Sequence, residues 1–178
     1  MSSILVFAGS NSSSSINYQF AQYTASTIES HEVEYINMAT LVIPMYSEDV
    51  ELEMGFPHEI MKIANQIKKS DAFVIGVNEH NSNPSAFFKN LIDWLSRIER
   101  NIMEDKPTFL VATSPGKRGA QSALEISANT LPRIGASVIA TFSLPSFGLN
   151  FEPADGITNN ELAADFVAKR KLFLDTLA

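Results

Sequence analysis

Ile4-Leu-Val-Phe-Ala-Gly-Ser-Asn-Ser-Ser-Ser-Ser-Ile-Asn17 passes from an unbroken apolar run into a glycine and serine loop and then into the start of a helix. An apolar run without polar alternation suits a strand covered on both faces, and Gly9 lets the backbone turn sharply at its carboxyl end. Ser10, Ser12, Ser13, Ser14 and Ser15 offer hydroxyl donors, while the following helix presents unsatisfied N–H groups and a partial positive charge. An anion fits there without a metal or a lysine. A serine run also serves as a plain solvated connection, and on the loop alone the two readings stand level. Its place after the first strand of an alternating chain tips the balance, because ligands collect outside the carboxyl ends of parallel strands.

The rest of the chain repeats this logic. Tyr18, Ala21, Ala25 and Ile28 recur at helical spacing and predict a helix over 15–29, followed by a short β-rich run over 33–36. Residues 44–47 and the acidic 48–53 read as loop, and Ile60, Ile63, Ala64 and Ile67 define a helix over 57–69 with Pro57 in its first turn. A second buried strand over 72–77 runs into the polar loop Asn78-Glu-His-Asn-Ser-Asn83. Asn83 as cap and Pro84 in the first turn would open the next helix, whose apolar stripe is Phe87, Leu91, Trp94, Leu95 and Ile98. A third strand over 108–113 ends in Ser114-Pro-Gly-Lys-Arg-Gly119. A helix over 120–131, a strand over 137–142, an irregular stretch over 145–156 and a helix over 159–177 complete the order. Alternating strands and helices imply right-handed crossovers and a parallel sheet between helical layers. Five strands in the order 2-1-3-4-5 bring the ends of strands one, three and four together, which makes a flavodoxin-like α/β sandwich.

Composition narrows the function. The 178 residues suit one domain spanning 1–178, and 45% hydrophobic with 19% charged residues is an ordinary globular balance. No apolar stretch approaches the ~20 residues of a membrane span, and the amino terminus lacks secretory-signal features, so a cytoplasmic chain is expected. With no Cys there is no disulfide, thiolate nucleophile or cysteine-bound metal, and redox chemistry needs a borrowed cofactor. A net charge of −7 argues against a nucleic-acid surface. His31, His58 and His80 form no metal-binding pair, so no metal is expected.

At the three loops the chain resembles the NADPH-dependent FMN reductase family of flavodoxin-like proteins, which also includes azoreductases and quinone reductases. The family's first loop, G-S-x-R-x-x-S-x-N, is matched by Gly9, Ser10, Ser15 and Asn17, with Ser12 in place of the arginine. Its P-E-Y-N-x-S pattern and the L-K-N-x-x-D-W that follows are matched by Glu79, Asn81, Lys89, Asn90, Asp93 and Trp94. Asn78, His80 and Asn83 depart from it, and Phe88 stands for the leucine. The third pattern, S-x-G-x-x-G-G, is matched by Ser114, Gly116 and Gly119, with Ala120 for the last glycine. Three motifs in order are far more specific than any one alone. On helix-surface grounds Lys89, Asn90 and Asp93 are expected to organise their helix and the adjoining loop rather than to do chemistry.

The resemblance implies a division of labour. Ser10, Ser12, Ser15, Ile16 and Asn17 would surround an FMN phosphate through side chains and helix-start N–H groups. Asn78, Glu79, His80, Asn81 and Ser82 would line the isoalloxazine, and Ser114, Gly116 and Gly119 would close the other side. Lys117 and Arg118 are suited to drawing in NADPH, and equally to a plain solvated loop. Losing the arginine removes a forked donor near the phosphate, which the serine hydroxyls can replace. The implied activity is an NAD(P)H-dependent reductase of flavins, quinones or azo compounds, working by ping-pong hydride transfer through flavin N5, with NADPH or NADH as donor. No catalytic side chain is required, and no separate G-x-G-x-x-G site is present. A flavodoxin-type electron carrier, or a non-catalytic relative with weakened flavin binding, is the alternative. The breadth of the stripe formed by Phe87, Phe88, Leu91, Ile92, Trp94 and Leu95 argues for a homodimer or dimer of dimers, with simple core burial as the alternative. Residues 44–47 are then placed to reach a neighbouring subunit's flavin.

Overall fold

Strands that lack polar alternation have to be covered on both sides, and three of the five strands here are. In the computed structural model, which describes residues 1–29 and 31–177, one parallel sheet is built from β1 (Ser3–Ala8), β2 (Glu32–Tyr35), β3 (Ala72–Val77), β4 (Pro107–Thr113) and β5 (Ser137–Leu144). Ser30 and Ala178, within the expected 1–178 span, lie outside the described residues. The order is β2-β1-β3-β4-β5, as the alternation predicts. β1, β3 and β4 are buried almost throughout, whereas β2 and β5 at the two edges keep partly exposed residues.

Side chains alternate between the two faces of the sheet. Leu5, Phe7, Phe73, Ile75, Val77, Leu110 and Ala112 pack with α3 (His58–Lys69), α4 (Ala86–Ile98) and α5 (Gln121–Thr130). Ile4, Val6, Val74, Phe109 and Val111 pack with α1 (Ile16–Ser26) and with α6 (Asn160–Leu174). On that second face Phe20 of α1 is fully buried among Phe142, Phe151 and Phe166, with ring centroids 5.9, 5.9 and 6.0 Å away. Aromatic packing of this kind fixes α1, and with it the loop that precedes it, against the sheet.

Four expectations need correction. Residues 48–53 are not loop but part of α2 (Glu48–Met54). None of its residues is buried, so no apolar stripe announced it; its ends did. Ser47 Oγ accepts from the N–H of Val50 at 3.2 Å, Glu48, Asp49 and Glu51 complement the helix dipole, and Gly55 closes it at φ +68°. Residues 145–156 hold a helical turn, Phe147–Asn150, and a strand, Phe151–Glu152, paired with Gly156–Ile157. Gly156 there has φ +77°, and a Cβ on it would fall 2.4 Å from the Tyr23 ring. Asn83 does not cap α4 and Pro84 is not in its first turn. Both belong to a two-residue strand that pairs antiparallel with Glu79–His80, and the cap is Ser85.

The stripe on α4 needs the fourth correction, because its breadth does not signal a partner. Phe88, Leu91, Ile92, Trp94 and Leu95 are all buried within the one chain. Part of that cover comes from the segment before α3. Trp94 Nε1 and Asn90 Nδ2 both donate to the Pro44 carbonyl at 2.9 Å, Tyr46 N donates to Asn90 Oδ1 at 2.7 Å, and Tyr46 meets Trp94 edge-on at 5.1 Å. Arg97 Nε bonds Glu51 Oε2 at 2.8 Å, which ties α2 to α4. That hydrogen bond to the guanidinium holds the Glu51 carboxyl below its usual range.

Ser85 is 2% exposed, and its hydroxyl donates to Gly9 O at 2.6 Å while accepting from Phe88 N at 3.0 Å. Ser85→Ala removes a cap and strands a buried carbonyl, so urea denaturation is expected to show a loss of about 2–3 kcal/mol. A loss below about 0.5 kcal/mol would mean that neither bond matters.

Candidate functional site

Gly9 is the point at which the first two loops meet. Its N–H donates to Gly76 O at 2.9 Å, and its carbonyl takes the Ser85 hydroxyl. Gly76 has no room for a side chain, since a Cβ would lie 2.6 Å from the Asn17 carbonyl. The first turn of α1 therefore sits directly on the carboxyl end of β3. It is held there by Asn17, 5% exposed, whose Nδ2 donates to Thr113 O at 3.1 Å while its Oδ1 accepts from Thr113 N at 2.8 Å. The ends of β1, β3 and β4 are thus tied to one helix start.

That start is ready for an anion. Ser15 caps it by accepting from Tyr18 N at 3.2 Å, and among the described residues no acceptor meets the N–H of Ile16 or Asn17. Ser10 and Ser12 shape the turn instead of standing free: Ser12 N donates to Ser10 Oγ at 3.3 Å, and Ser14 N to Ser12 Oγ at 3.3 Å. Ser12 Oγ also shares a hydrogen bond with Ser14 Oγ at 3.2 Å, while the Ser10 hydroxyl hydrogen is free to point outward. No acidic residue lies in the first turn of α1, and no Lys or Arg precedes Lys62 in the chain. Asn17 contributes only its main-chain N–H, because its amide is already committed.

The second loop is a tight hairpin. Glu79 pairs with Pro84 and His80 with Asn83, leaving Asn81 and Ser82 as a two-residue turn at φ +53° and +64°, as a type I′ turn requires. Asn78 ends β3 almost buried, and its side-chain oxygen has no partner. Glu79 does not reach toward the first loop. Its Oε2 accepts from Ala123 N at 3.0 Å, supplying to α5 the cap that its own start, Ala120 at φ +62°, lacks. His80, Asn81 and Ser82 are exposed.

The third loop turns its carbonyls toward β5. Ser114 O accepts from Phe147 N at 3.0 Å, Gly116 O from Ser146 N at 2.9 Å, and Gly119 O from Ser143 Oγ at 2.8 Å. Gly119, at φ +58°, admits no Cβ, whereas one on Gly116 would meet only Ser114 Oγ, at 3.8 Å. Gly116 thus leaves its side of the loop open. Lys117 and Arg118 are exposed at the rim of a groove of about 550 Å³ that runs between α5 and α6.

The chemistry of FMN suits this set. Free N–H groups and hydroxyls without a nearby carboxylate suit a phosphate, and an unpaired buried amide oxygen suits a ring N–H. Asn78 is legible in the sequence, but its lack of a partner is not. Ser85 is not among the expected site residues, although a serine directly before an apolar stripe is itself a cap signal. Among the described residues, no cluster of His, Asp or Glu is placed to hold a metal, and no helix is long and apolar enough to cross a membrane.

A five-stranded parallel sheet in this order, with three loops gathered where the strand order reverses, defines a flavodoxin-like protein. Within that class the chain belongs to the NADPH-dependent FMN reductase family, whose profile matches residues 2–148. A quinone reductase of Escherichia coli K12 is 39% identical over 77 residues, which are 43% of this chain and 41% of that protein. The chain therefore spans well under two thirds of that relative's length. An NADPH:quinone oxidoreductase of Arabidopsis thaliana is 28% identical over 151 residues, 84% of this chain and 73% of that one. Among solved structures, an NAD(P)H:(acceptor) oxidoreductase from Paracoccus denitrificans superposes with a TM-score of 0.79 at 24% identity, covering 98% of this chain and 96% of that one.

Asn78→Ala separates a ligand-facing amide from a structural one. Removing an unpaired buried oxygen is expected to leave thermal stability unchanged or raised, while FMN affinity falls about tenfold in a fluorescence titration. Lower stability with unchanged affinity would assign the side chain to the fold.

Proposed function

We propose that this chain is an NAD(P)H-dependent, FMN-containing oxidoreductase that reduces a flavin, quinone or azo compound. Residues 1–178 would act as one FMN-binding domain. The observation that carries the reading is that the free N–H groups of Ile16 and Asn17 and the unpaired oxygen of Asn78 follow neighbouring strand ends that the Gly9–Gly76 hydrogen bond joins. When bound, the flavin supplies a two-electron relay at N5, which permits ping-pong turnover with NADPH or NADH and then the acceptor. The chain's part is to hold and orient. Ser10, Ser12, Ser15 and the helix start bind the phosphate, Asn78 and the hairpin residues Glu79, His80, Asn81 and Ser82 frame the ring, and Ser114, Gly116 and Gly119 keep the far side open. Glu79 acts through its cap on α5, as a positioning residue.

Family membership and the activities of the relatives named above support this reading. The one-electron carrier is the second reading, favoured by the net charge of −7. Adding FMN to the purified protein and following its absorbance under anaerobic NADPH and NADH separates them. Rapid bleaching is expected, whereas bound flavin that neither nucleotide reduces would point to the carrier. Ser12→Arg, which restores the arginine that the resemblance places there, is expected to tighten FMN about tenfold through a charge-assisted bond. No flavin binding in either form would sink the proposal.

A homodimer or dimer of dimers in the cytoplasm is proposed with it. Its support now lies outside the α4 stripe, in the segment before α3, where Val42, Met45, Leu52 and Met54 are 85%, 66%, 80% and 68% exposed. A run of apolar side chains on one capped segment is the kind of surface a partner covers. Light scattering is expected to give a multiple of the chain mass, reduced by Leu52→Glu. An unchanged mass in that variant would move the interface elsewhere.

A further inference from the structure

A second cleft, about 560 Å³ in volume, lies between α4, α5 and the hairpin over 79–84. His80, Asn83, Ala86, Ile92, Ile126 and Ser127 form most of its wall, with Lys89 and Thr130 at the edge. The volume is that of a small-molecule pocket. Its chemistry is one-sided. Among the described residues no carboxylate lines it, and the polar groups that do are amides, hydroxyls, an imidazole and one ammonium. Lys89 lies 2.5 Å from Asp93 Oδ1 and is exposed, so it keeps further N–H groups for a ligand.

Ser127 singles out what the cleft would hold. It is 1% exposed, and its hydroxyl has no hydrogen-bond partner. Its more exposed neighbours on α5 do bond back to the helix: Thr130 Oγ1 donates to Ile126 O at 2.7 Å, and Asn129 Nδ2 to Glu125 O at 2.9 Å. A hydroxyl left without a partner in an apolar wall destabilises the free protein, and an acceptor brought by a ligand relieves that penalty.

We propose that this cleft is a ligand site distinct from the three-loop site. It takes a flat, largely apolar molecule bearing one carboxylate or carbonyl, with its rings against Ile92 and Ile126 and its acceptor on Ser127 Oγ. Neither FMN binding nor reductase activity is needed for this assignment. The cleft and the flavin loops share only the hairpin, so occupancy of one can be read with the other empty.

The test is titration of the flavin-free protein with 2-naphthoate, by calorimetry and by amide chemical shifts. Saturable binding is expected, with the largest shifts on α5 and on the α4 face around Ile92. Ser127→Ala should weaken it about tenfold, the loss of one hydrogen bond to a charged acceptor. 2-Naphthylmethylammonium, of the same shape and opposite charge, should bind more weakly and lose nothing in Ser127→Ala. Ile126→Asp, at a position 39% exposed and therefore tolerant, is expected to abolish naphthoate binding while thermal melting stays within a few degrees of the parent. Unchanged affinity in Ser127→Ala would overturn the proposal, as would shifts confined to the first loop. So would a cleft that excludes the probe because a second copy covers it, seen as α5 shifts that vanish on dilution.

Discussion

The side-chain amide of Asn17, giving one hydrogen bond and taking another from the main chain of Thr113, is the constraint on which the site depends. A strand end normally leaves its last peptide groups to water or to a loop. Here the end of β4 is closed by a residue of the first helix, so the first turn of α1 cannot drift away from the sheet. Gly76 makes the arrangement possible by leaving out a Cβ where the Asn17 carbonyl passes. Ser85 adds a third anchor by bonding the Gly9 carbonyl from the start of α4. Each of these groups is nearly buried, and a buried polar group is stable only when paired. The first turn of α1 and the loop before it inherit their position from this paired interior.

Much of the architecture was legible in residue pattern. β1, β3 and β4 are apolar without alternation because helices cover both of their faces, and the alternation of strands with helices makes the sheet parallel. The site was legible as three polar loops at three strand ends. What each residue does there was less so. Asn17 lies in a motif, yet its partner Thr113 is 96 positions away, and no local rule joins them. Glu79 likewise matches a family position, while its task, capping α5 at Ala123, belongs to a helix 44 residues on. The helix over 48–54 was hidden for a different reason. It buries nothing, so apolar spacing is silent, and only Ser47, the acidic first turn and Gly55 mark it.

The α4 stripe shows how a wide apolar pattern can find its cover within the chain. Its width was read as surplus over what a sheet face needs. The surplus is taken up by the chain itself, through Asn90 and Trp94 on the Pro44 carbonyl and through Tyr46 edge-on to the indole. Lys89, by contrast, pairs with Asp93 one turn on and stays at the surface. Through Asn90 and Trp94 the K-N-x-x-D-W segment is thus a clamp on residues 44–46.

The helix start at Ser15 is built from hydroxyls and peptide N–H groups alone, with no lysine or arginine earlier in the chain than Lys62. Neutral donors recognise an anion by direction and fit, and dissolved salt screens them less than it screens a fixed charge. A phosphate held in this way should stay bound as ionic strength rises, and chloride should be a poor rival for it. The rivals that matter are tetrahedral oxyanions such as sulfate, which offer the same oxygens in the same geometry.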